Sequence, residues 1–235
     1  MKIALIGYGA MGKLIRRLAE EKGHDVVVVI NDTFAHSSAE LLAAKLSSAE
    51  VAIDFTVAGA VKRNVSACVA AGVPLVEGTT GWNEHREAIE KIVRDGNGAF
   101  LFGANFSIGV NLFYRIAAFA AELFAKFPDY ETFIEEQHHS RKLDAPSGTA
   151  LKLKEIVDEH IKKDFTITAT RAGNIPGTHR VGFDGPADQI LLEHTARSRE
   201  GFAYGAITAA EWIVGKKGFY EFSEVMDEAC QCRLR

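Results

Sequence analysis

Near its start the chain reads Lys2-Ile3-Ala4-Leu5-Ile6, then Gly7-x-Gly9-x-x-Gly12, then an amphipathic stretch from Ala10 to Lys22. A short apolar run, a glycine-spaced turn and a helical periodicity in direct succession predict a strand–turn–helix unit, the start of a βαβ crossover. Each glycine has its own reason. The first makes a turn that a Cβ obstructs, the second lets the backbone approach a ligand closely, and the third lets helix and strand pack tightly. Such a turn aims the unpaired amides and partial positive charge of a helix N-terminus at whatever occupies its mouth, which suits the pyrophosphate of a dinucleotide. The acidic residue expected about 20 positions further on is present as Asp32, at the end of the second predicted strand. A carboxylate there accepts both ribose hydroxyls, whereas a 2′-phosphate prefers a basic neighbour. No Lys or Arg occurs from Asn31 through Ala44, so NADH is expected over NADPH; His36, which can partly offset a 2′-phosphate, keeps NADPH possible.

The pattern continues through the first half. Strands are predicted at Lys2 to Ile6, Asp25 to Ile30, Val51 to Phe55, Pro74 to Val76 and Ala99 to Phe102, with helices at Ala10 to Lys22, Ala60 to Ala71 and Asn83 to Arg94, each helix followed by a stopping glycine at Gly23, Gly72 or Gly96. This alternation is that of an α/β, Rossmann-like doubly wound parallel sheet. Ligands of such sheets bind at the carboxyl ends of the strands, which singles out Asp54-Phe55-Thr56, Gly78-Thr79-Thr80-Gly81 and Gly103-Ala104-Asn105-Phe106-Ser107. A long buried helix from Ile108 to Phe127, broken by Pro128, reads as a hinge into a different layout. Beyond it, strand-like runs at Tyr130 to Glu136, Phe165 to Thr170, Arg180 to Phe183 and Gln189 to Thr195 surround a helix at Ser147 to Lys162, giving a smaller α+β domain. A last helix is expected at Ala203 to Val214, and a strand at Phe219 to Phe222 after the turn Gly215 to Gly218.

Composition excludes several classes of partner. A net charge of -4 with scattered cations gives no footprint for nucleic acid or an anionic membrane. The longest uncharged stretch, Phe100 to Tyr114, falls short of the roughly 18 apolar residues of a membrane span. A glycine at position 7 comes too early for a signal peptide, so a cytoplasmic protein is expected. Cys68, Cys230 and Cys232 fit neither a disulfide framework nor zinc spacing and are read as free thiols. With 47% hydrophobic residues the chain has apolar material for a substantial core, and a small molecule is the expected partner.

The densest chemistry lies in Glu136 to Ala150, running from a strand end to a helix start. His138 and Lys142 are the candidates to protonate or stabilise charge when hydride adds to a conjugated double bond. Lys142 and the amides of Ser147, Gly148 and Thr149, behind a Pro146 placed at the helix start, are expected to hold an anionic substrate group. Adjacent His138 and His139 lack further close ligands, so no metal site is expected.

At these residues the chain resembles the 4-hydroxy-tetrahydrodipicolinate reductase (dihydrodipicolinate reductase) family of diaminopimelate and lysine biosynthesis. The most specific match is His138-His139-x-x-Lys142-x-Asp144-Ala145-Pro146-Ser147-Gly148-Thr149-Ala150, supported by Gly7-x-Gly9-Ala10-Met11-Gly12, Ile53-Asp54-Phe55-Thr56, Gly78-Thr79-Thr80-Gly81 and Asn105-Phe106-Ser107-x-Gly109-Val110-Asn111. The resemblance implies that His138 is the proton donor with Lys142 beside it. It implies that His139, Lys142, Gly148 and Thr149 bind the carboxylates of a dicarboxylate substrate, and that the backbone around Gly9 to Met11, Asp32, Gly78 to Thr80 and Asn105 to Phe106 binds the cofactor. It further implies a dinucleotide-binding domain of residues 1–106 and 200–235, a substrate and oligomerisation domain of residues 107–199, and a cytoplasmic homotetramer; hinges between the two domains are expected near Phe106 and Arg199. Three features depart from the family pattern: Gln137 replaces a small residue before the histidines, Asn31-Asp32 replaces a Glu-first strand end so that either Asn31 or Asp32 can face the ribose, and an insertion before Arg171 is missing from the domain that the resemblance assigns to assembly. An amino-acid dehydrogenase of similar layout and a non-catalytic dinucleotide sensor are the alternatives; a sensor has no need of the His138, Lys142 and Ser147 to Thr149 group.

Overall fold

A computed structural model describes residues 1–34 and 37–231. The expectations placed on His36 and Cys232, and on the side chain of Asp32, fall outside the described residues. The chain divides into two compact units, Met1–Ile108 with Glu200–Arg235, and Gly109–Arg199.

The first unit opens with β1 (Lys2–Ile6), α1 (Ala10–Glu21), β2 (Asp25–Ile30), α2 (Ala39–Leu46), β3 (Val51–Asp54), α3 (Ala58–Ala71), β4 (Leu75–Glu77), α4 (Arg86–Asp95) and β5 (Ala99–Phe102). The strands pair in parallel in the order β5-β4-β3-β1-β2, so the direction of winding reverses beside β1. Alternation decides which face each residue meets. Ile3 and Leu5 enter one core with Ile15 and Leu18 of α1, while Ala4 and Ile6 enter the other with Leu42 and Leu46 of α2 and Val61 and Val65 of α3. A parallel sheet covered on both faces explains why these strands read as continuous apolar runs. The sequence pattern did not predict α2: it is two turns long, capped by Ser38, whose hydroxyl accepts from the Leu41 amide at 3.3 Å, and it buries only Leu42 and Leu46. After α1 and α3 the left-handed stop is a glycine, Gly23 (φ 82°) and Gly72 (φ 69°), but after α4 Asn97 (φ 48°) takes that role instead of Gly96.

The second unit comprises α5 (Ile108–Phe124), β6 (Glu131–His138), α6 (Gly148–Asp158), β7 (Thr166–Arg171), β8 (Thr178–Asp184) and β9 (Gln189–Thr195). Its mixed sheet runs β7-β6-β8-β9, with β6 parallel to β7 and antiparallel to β8. Phe113, Ala117 and Ala121 of α5 and Leu153 and Val157 of α6 pack on Ile134, Val181 and Phe183. Pro128 lies inside this unit, so the chain divides at the start of the long helix and not at its end. Strand β6 also extends two residues beyond the predicted end, because Gln137 and His138 pair with Thr170 and Arg171.

The chain then returns to the first unit through α7 (Glu200–Ile213), β10 (Gly218–Glu221) and α8 (Phe222–Gln231). Strand β10 extends the sheet beside β5. The small face of α7, with Ala203, Ala206, Ala209 and Ala210 all buried, joins the core containing Ile3 and Leu5. Among the described residues no helix is long and apolar enough to cross a membrane.

Candidate active site

In the first unit the glycine turn sits where the sheet order reverses. Gly7 donates its amide to the Ile30 carbonyl at 2.8 Å and takes φ 90°; a Cβ there would lie 2.3 Å from the Phe55 carbonyl oxygen. At Gly12 a Cβ would lie 2.2 Å from the Gly7 carbonyl oxygen, so only glycine lets α1 approach the turn. A Cβ at Gly9, by contrast, meets nothing within 4 Å among the described residues. What Gly9 leaves open is a cradle in front of the first turn of α1, which has no acidic residue and no side-chain cap to occupy the amides of Ala10, Met11 and Gly12. These features fit the pyrophosphate of a dinucleotide.

The neighbouring strand ends are tied to one another. The Thr56 amide donates to Thr79 Oγ1 at 2.9 Å, and the Trp82 indole donates to the Thr79 carbonyl at 2.8 Å. The Thr79 side chain is therefore engaged by protein, while Gly78 lies under the Phe55 ring and Thr80 is exposed. Asn105 uses Oδ1 to accept from the Ser107 amide at 2.8 Å. The Phe106 side chain is core, 4.8 Å from the Phe222 ring centroid, leaving only its backbone for a cofactor. At the end of β2, Asn31 Oδ1 accepts from the Thr33 amide at 3.2 Å. The fold also brings cations to this turn that the local sequence lacks: Arg63 Nη1 lies 3.5 Å from the Phe34 carbonyl oxygen, and Lys45 Nζ lies 4.4 Å from the Phe34 ring centroid.

In the second unit β6 carries Glu136 and His138 two residues apart, on the same face of the strand. Glu136 is buried, and its carboxylate anchors the site. Oε1 accepts from Arg171 Nη2 at 2.6 Å and from the Ser147 amide at 3.1 Å, and Oε2 bonds His138 Nδ1. Burial alone raises the Glu136 carboxyl, but Arg171, His138 and the Ser147 amide together hold it below the usual carboxylate range. It is therefore an anion that keeps the His138 proton on Nδ1 in the neutral ring. The other nitrogen, Nε2, faces Gly177 (φ 128°), where a Cβ would lie 3.2 Å from it. Burial lowers the His138 pKa first; Glu136 opposes this, and Lys142 and Arg171 reinforce it. His179, opposite Glu136 in the β6–β8 register, packs edge-on at 5.1 Å and is lowered to about 4, by burial first and then by the charge on His138.

Lys142 Nζ holds Asp144 at 2.7 and 2.9 Å, and the same carboxylate receives the Gly148 amide. Asp144, itself largely exposed, thus occupies the anion position that Lys142 and the start of α6 were expected to offer. The expectation for Ser147 requires correction. Its amide is taken by Glu136, while its hydroxyl accepts from the Ala150 amide at 3.2 Å and lies 3.1 Å from His179 Nε2, so it caps the helix and does not face an external anion. Pro146 accordingly precedes the cap and is not the first helical residue. Thr149 bonds Tyr114 through its side chain, and His139 Nδ1 is buried with no hydrogen-bond partner among the described residues. Glu136, His138 and His179 offer atoms within 4.8 Å of one another, as in a metal site, yet the Arg171 guanidinium on the Glu136 carboxylate opposes a second cation there. Residue types alone pointed to His138, His139 and Lys142. Glu136 was legible only through its two-residue spacing from His138, and Arg171, His179 and Gly177 carried no signal.

Residues 1–106 match the family described as dihydrodipicolinate reductase, N-terminus, and residues 109–226 match dihydrodipicolinate reductase, C-terminus. A 4-hydroxy-tetrahydrodipicolinate reductase of Christiangramia forsetii is 35% identical, over 97% of this chain and 98% of the relative. One of Staphylococcus haemolyticus is 36% identical, over 96% of this chain and 100% of the relative. Among solved structures, a dipicolinate-bound dihydrodipicolinate reductase from Paenisporosarcina sp. TG-14 superposes with a TM-score of 0.78 at 23% identity, covering 95% of this chain and 98% of that one. With both halves matched and relatives aligned along nearly its full length, the chain belongs to the dihydrodipicolinate reductase family.

Proposed function

We propose that the protein reduces 4-hydroxy-tetrahydrodipicolinate to tetrahydrodipicolinate at the expense of a nicotinamide dinucleotide, the first unit holding the nucleotide and the second the substrate. The conversion removes the 4-hydroxyl as water and adds one hydride and one proton. The observation that carries the reading is the His138 imidazole, anchored through Nδ1 on buried Glu136 with Nε2 left facing Gly177, in the same segment as Lys142. The dinucleotide supplies the hydride when bound, and the chain places the proton. His138 donates it from Nε2, while Lys142, Gly148, Thr149 and His139 hold the substrate carboxylates. One of these carboxylates takes over from Asp144 at Lys142 and the Gly148 amide, exchanging one carboxylate for another on the same donors. Ser147 serves indirectly, as the cap that fixes α6 to Glu136.

For the nucleotide, Gly7, Gly9 and Gly12 with the amides of Ala10 and Met11 receive the pyrophosphate, and the backbone of Gly78 to Thr80 and Asn105 to Phe106 lines the remainder. Asp32 favours NADH through the ribose hydroxyls. Arg63 and Lys45, gathered near Phe34, support some use of NADPH. The enzyme acts in the cytoplasm as a homo-oligomer, tetrameric by family resemblance. Leu112, Ile116, Phe119 and Leu123, exposed along one flank of α5, are the apolar surface that supports assembly.

The test couples purified protein to freshly made 4-hydroxy-tetrahydrodipicolinate and follows nicotinamide absorbance with each nucleotide. Substrate-dependent oxidation is expected, faster with NADH at equal concentration. His138→Gln is expected to lower kcat by about 100-fold or more, the usual range for losing a positioned acid. Oxidation that does not depend on the substrate would reject the reading.

A further inference from the structure

Asp54 ends β3 and Glu77 ends β4, the two are register partners, and both are fully buried. Two carboxylates in such a place are costly unless each oxygen finds a donor. Asp54 Oδ2 accepts from Asn64 Nδ2 at 2.6 Å, and the Asn64 carbonyl is gripped in turn by Arg63 at 2.9 and 3.1 Å. Glu77 Oε1 accepts from the Thr79 amide at 2.7 Å. That leaves Asp54 Oδ1 and Glu77 Oε2, neither of which has a donor among the described residues. Register pairing on neighbouring parallel strands sets the two side chains beside each other on one face of the sheet, with the Thr56 and Thr79 side chains also against the pair. Two acceptors cannot satisfy one another, but a single proton between them satisfies both.

We propose that Asp54 and Glu77 share one proton and act as a positioning pair for the nucleotide site, fixing the Phe55–Thr56 and Gly78–Thr80 segments against each other. The chain of bonds is continuous: Arg63 braces Asn64, Asn64 holds Asp54, Asp54 shares the proton with Glu77, Glu77 holds the Thr79 amide, and Thr79 Oγ1 receives the Thr56 amide. This deepens the nucleotide reading and rests on it, since Gly78–Thr80 is assigned to the cofactor and Phe55–Thr56 is the neighbouring strand end that holds it through Thr79. The charged and titratable groups facing the pair are Arg63, which favours ionised Asp54, and Cys68, whose thiol is raised by burial first and then by the two carboxyls. Burial raises both carboxyls, and the charge on Asp54 raises Glu77 further. The folded chain therefore retains a proton that the unfolded chain releases in the usual carboxylate range. The stability this gives is complete below that range and is lost as pH rises through the raised value. Loss of the proton sets two anions against each other at the strand ends and loosens the Thr56 and Thr79 backbone.

NADH titration of the full chain, followed by nicotinamide fluorescence from mildly acid to alkaline pH, tests the pair. Wild type is expected to bind progressively more weakly at alkaline pH. Glu77→Gln keeps every bond, its amide N–H replacing the shared proton and its carbonyl still receiving the Thr79 amide. It is expected to bind within about twofold of wild type at neutral pH and to lack the alkaline loss. Glu77→Leu strands the Thr79 amide and an Asp54 oxygen and is expected to cost about tenfold in affinity. A Gln variant as weak as Leu, or one that keeps the alkaline loss, overturns the proposal. A wild type that binds no NADH at any pH sinks the nucleotide reading instead. Urea unfolding then decides the shared proton, with wild type expected to lose stability with rising pH more steeply than Glu77→Gln and equal slopes counting against it.

Discussion

As the proposed proton donor, His138 meets two opposing demands. Because its Nδ1 proton is held by Glu136, donation from Nε2 requires the imidazolium form, yet burial, seconded by Lys142 and Arg171, lowers the ring below its ordinary value of 6.5 against the pull of Glu136. In the free enzyme the active form is thus lost as pH rises through a value below that figure, so kcat/KM is expected to fall with rising pH across it. A bound dianion offsets the charge of Lys142 and favours the imidazolium, so kcat is expected to hold to higher pH than kcat/KM. Paired pH–rate profiles measure the separation; coincident limbs, or a rate that climbs with pH, remove His138 from the donor role. At this scale residue type was the legible part, through His138, His139 and Lys142. What tunes His138 was not, because Arg171 reaches Glu136 through the parallel β6–β7 register and His179 through the antiparallel β6–β8 register. Ser147 shows the same limit: a serine at a helix start reads as an anion site until the protein's own Glu136 is found on its amide.

At the scale of elements, the glycine turn separates a requirement of folding from a requirement of binding. Alanine at Gly12 drives a Cβ into the backbone oxygen of Gly7, which cannot move without breaking the turn. Gly12→Ala is expected to cost about 1–3 kcal/mol in urea unfolding, the scale of an overpacked contact. At Gly9, φ of -76° and ψ of -154° suit any residue and the Cβ meets open space, so Gly9→Ala is expected to unfold like wild type while binding NADH at least several-fold more weakly. Equal loss of binding and stability in both variants would contradict the division of labour between the two glycines. Elements with an unambiguous signal, the continuous apolar runs of β1 and β2 and the amphipathic period of α1, were readable nearly to the residue. Helix α2 was hidden because two turns with two buried leucines leave no measurable period, and α8 because it begins directly after β10 with no intervening turn.

For the whole molecule, what the sequence could not display was convergence from distant segments. Basic residues were absent from the window around Asp32, but α2 and α3 deliver Lys45 and Arg63 to Phe34 through packing that depends on the entire first unit. The two units have separate cores, one pair of apolar layers around the parallel sheet and one layer between the mixed sheet and its two helices. Each can therefore report its own ligand through local amide protection. NADH alone is expected to slow hydrogen exchange most at the start of α1 and around Thr56 and Thr79, whose amides or carbonyls the turn and the buried carboxyl pair hold in place. A dicarboxylate such as dipicolinate alone is expected to act most strongly on His139 through Thr149, because under the proposed reading it competes with Asp144 for Lys142 and the Gly148 amide. A first effect of the competition is on Asp144 itself: once displaced, its segment is held by one ion pair fewer. Amides flanking Asp144 are therefore expected to gain less protection than those of Gly148 and Thr149. Exchange mapped by mass spectrometry on the intact chain measures both patterns. Protection by dipicolinate centred on the glycine turn, or by NADH centred on His139 through Thr149, would reverse the assignment of ligands to units.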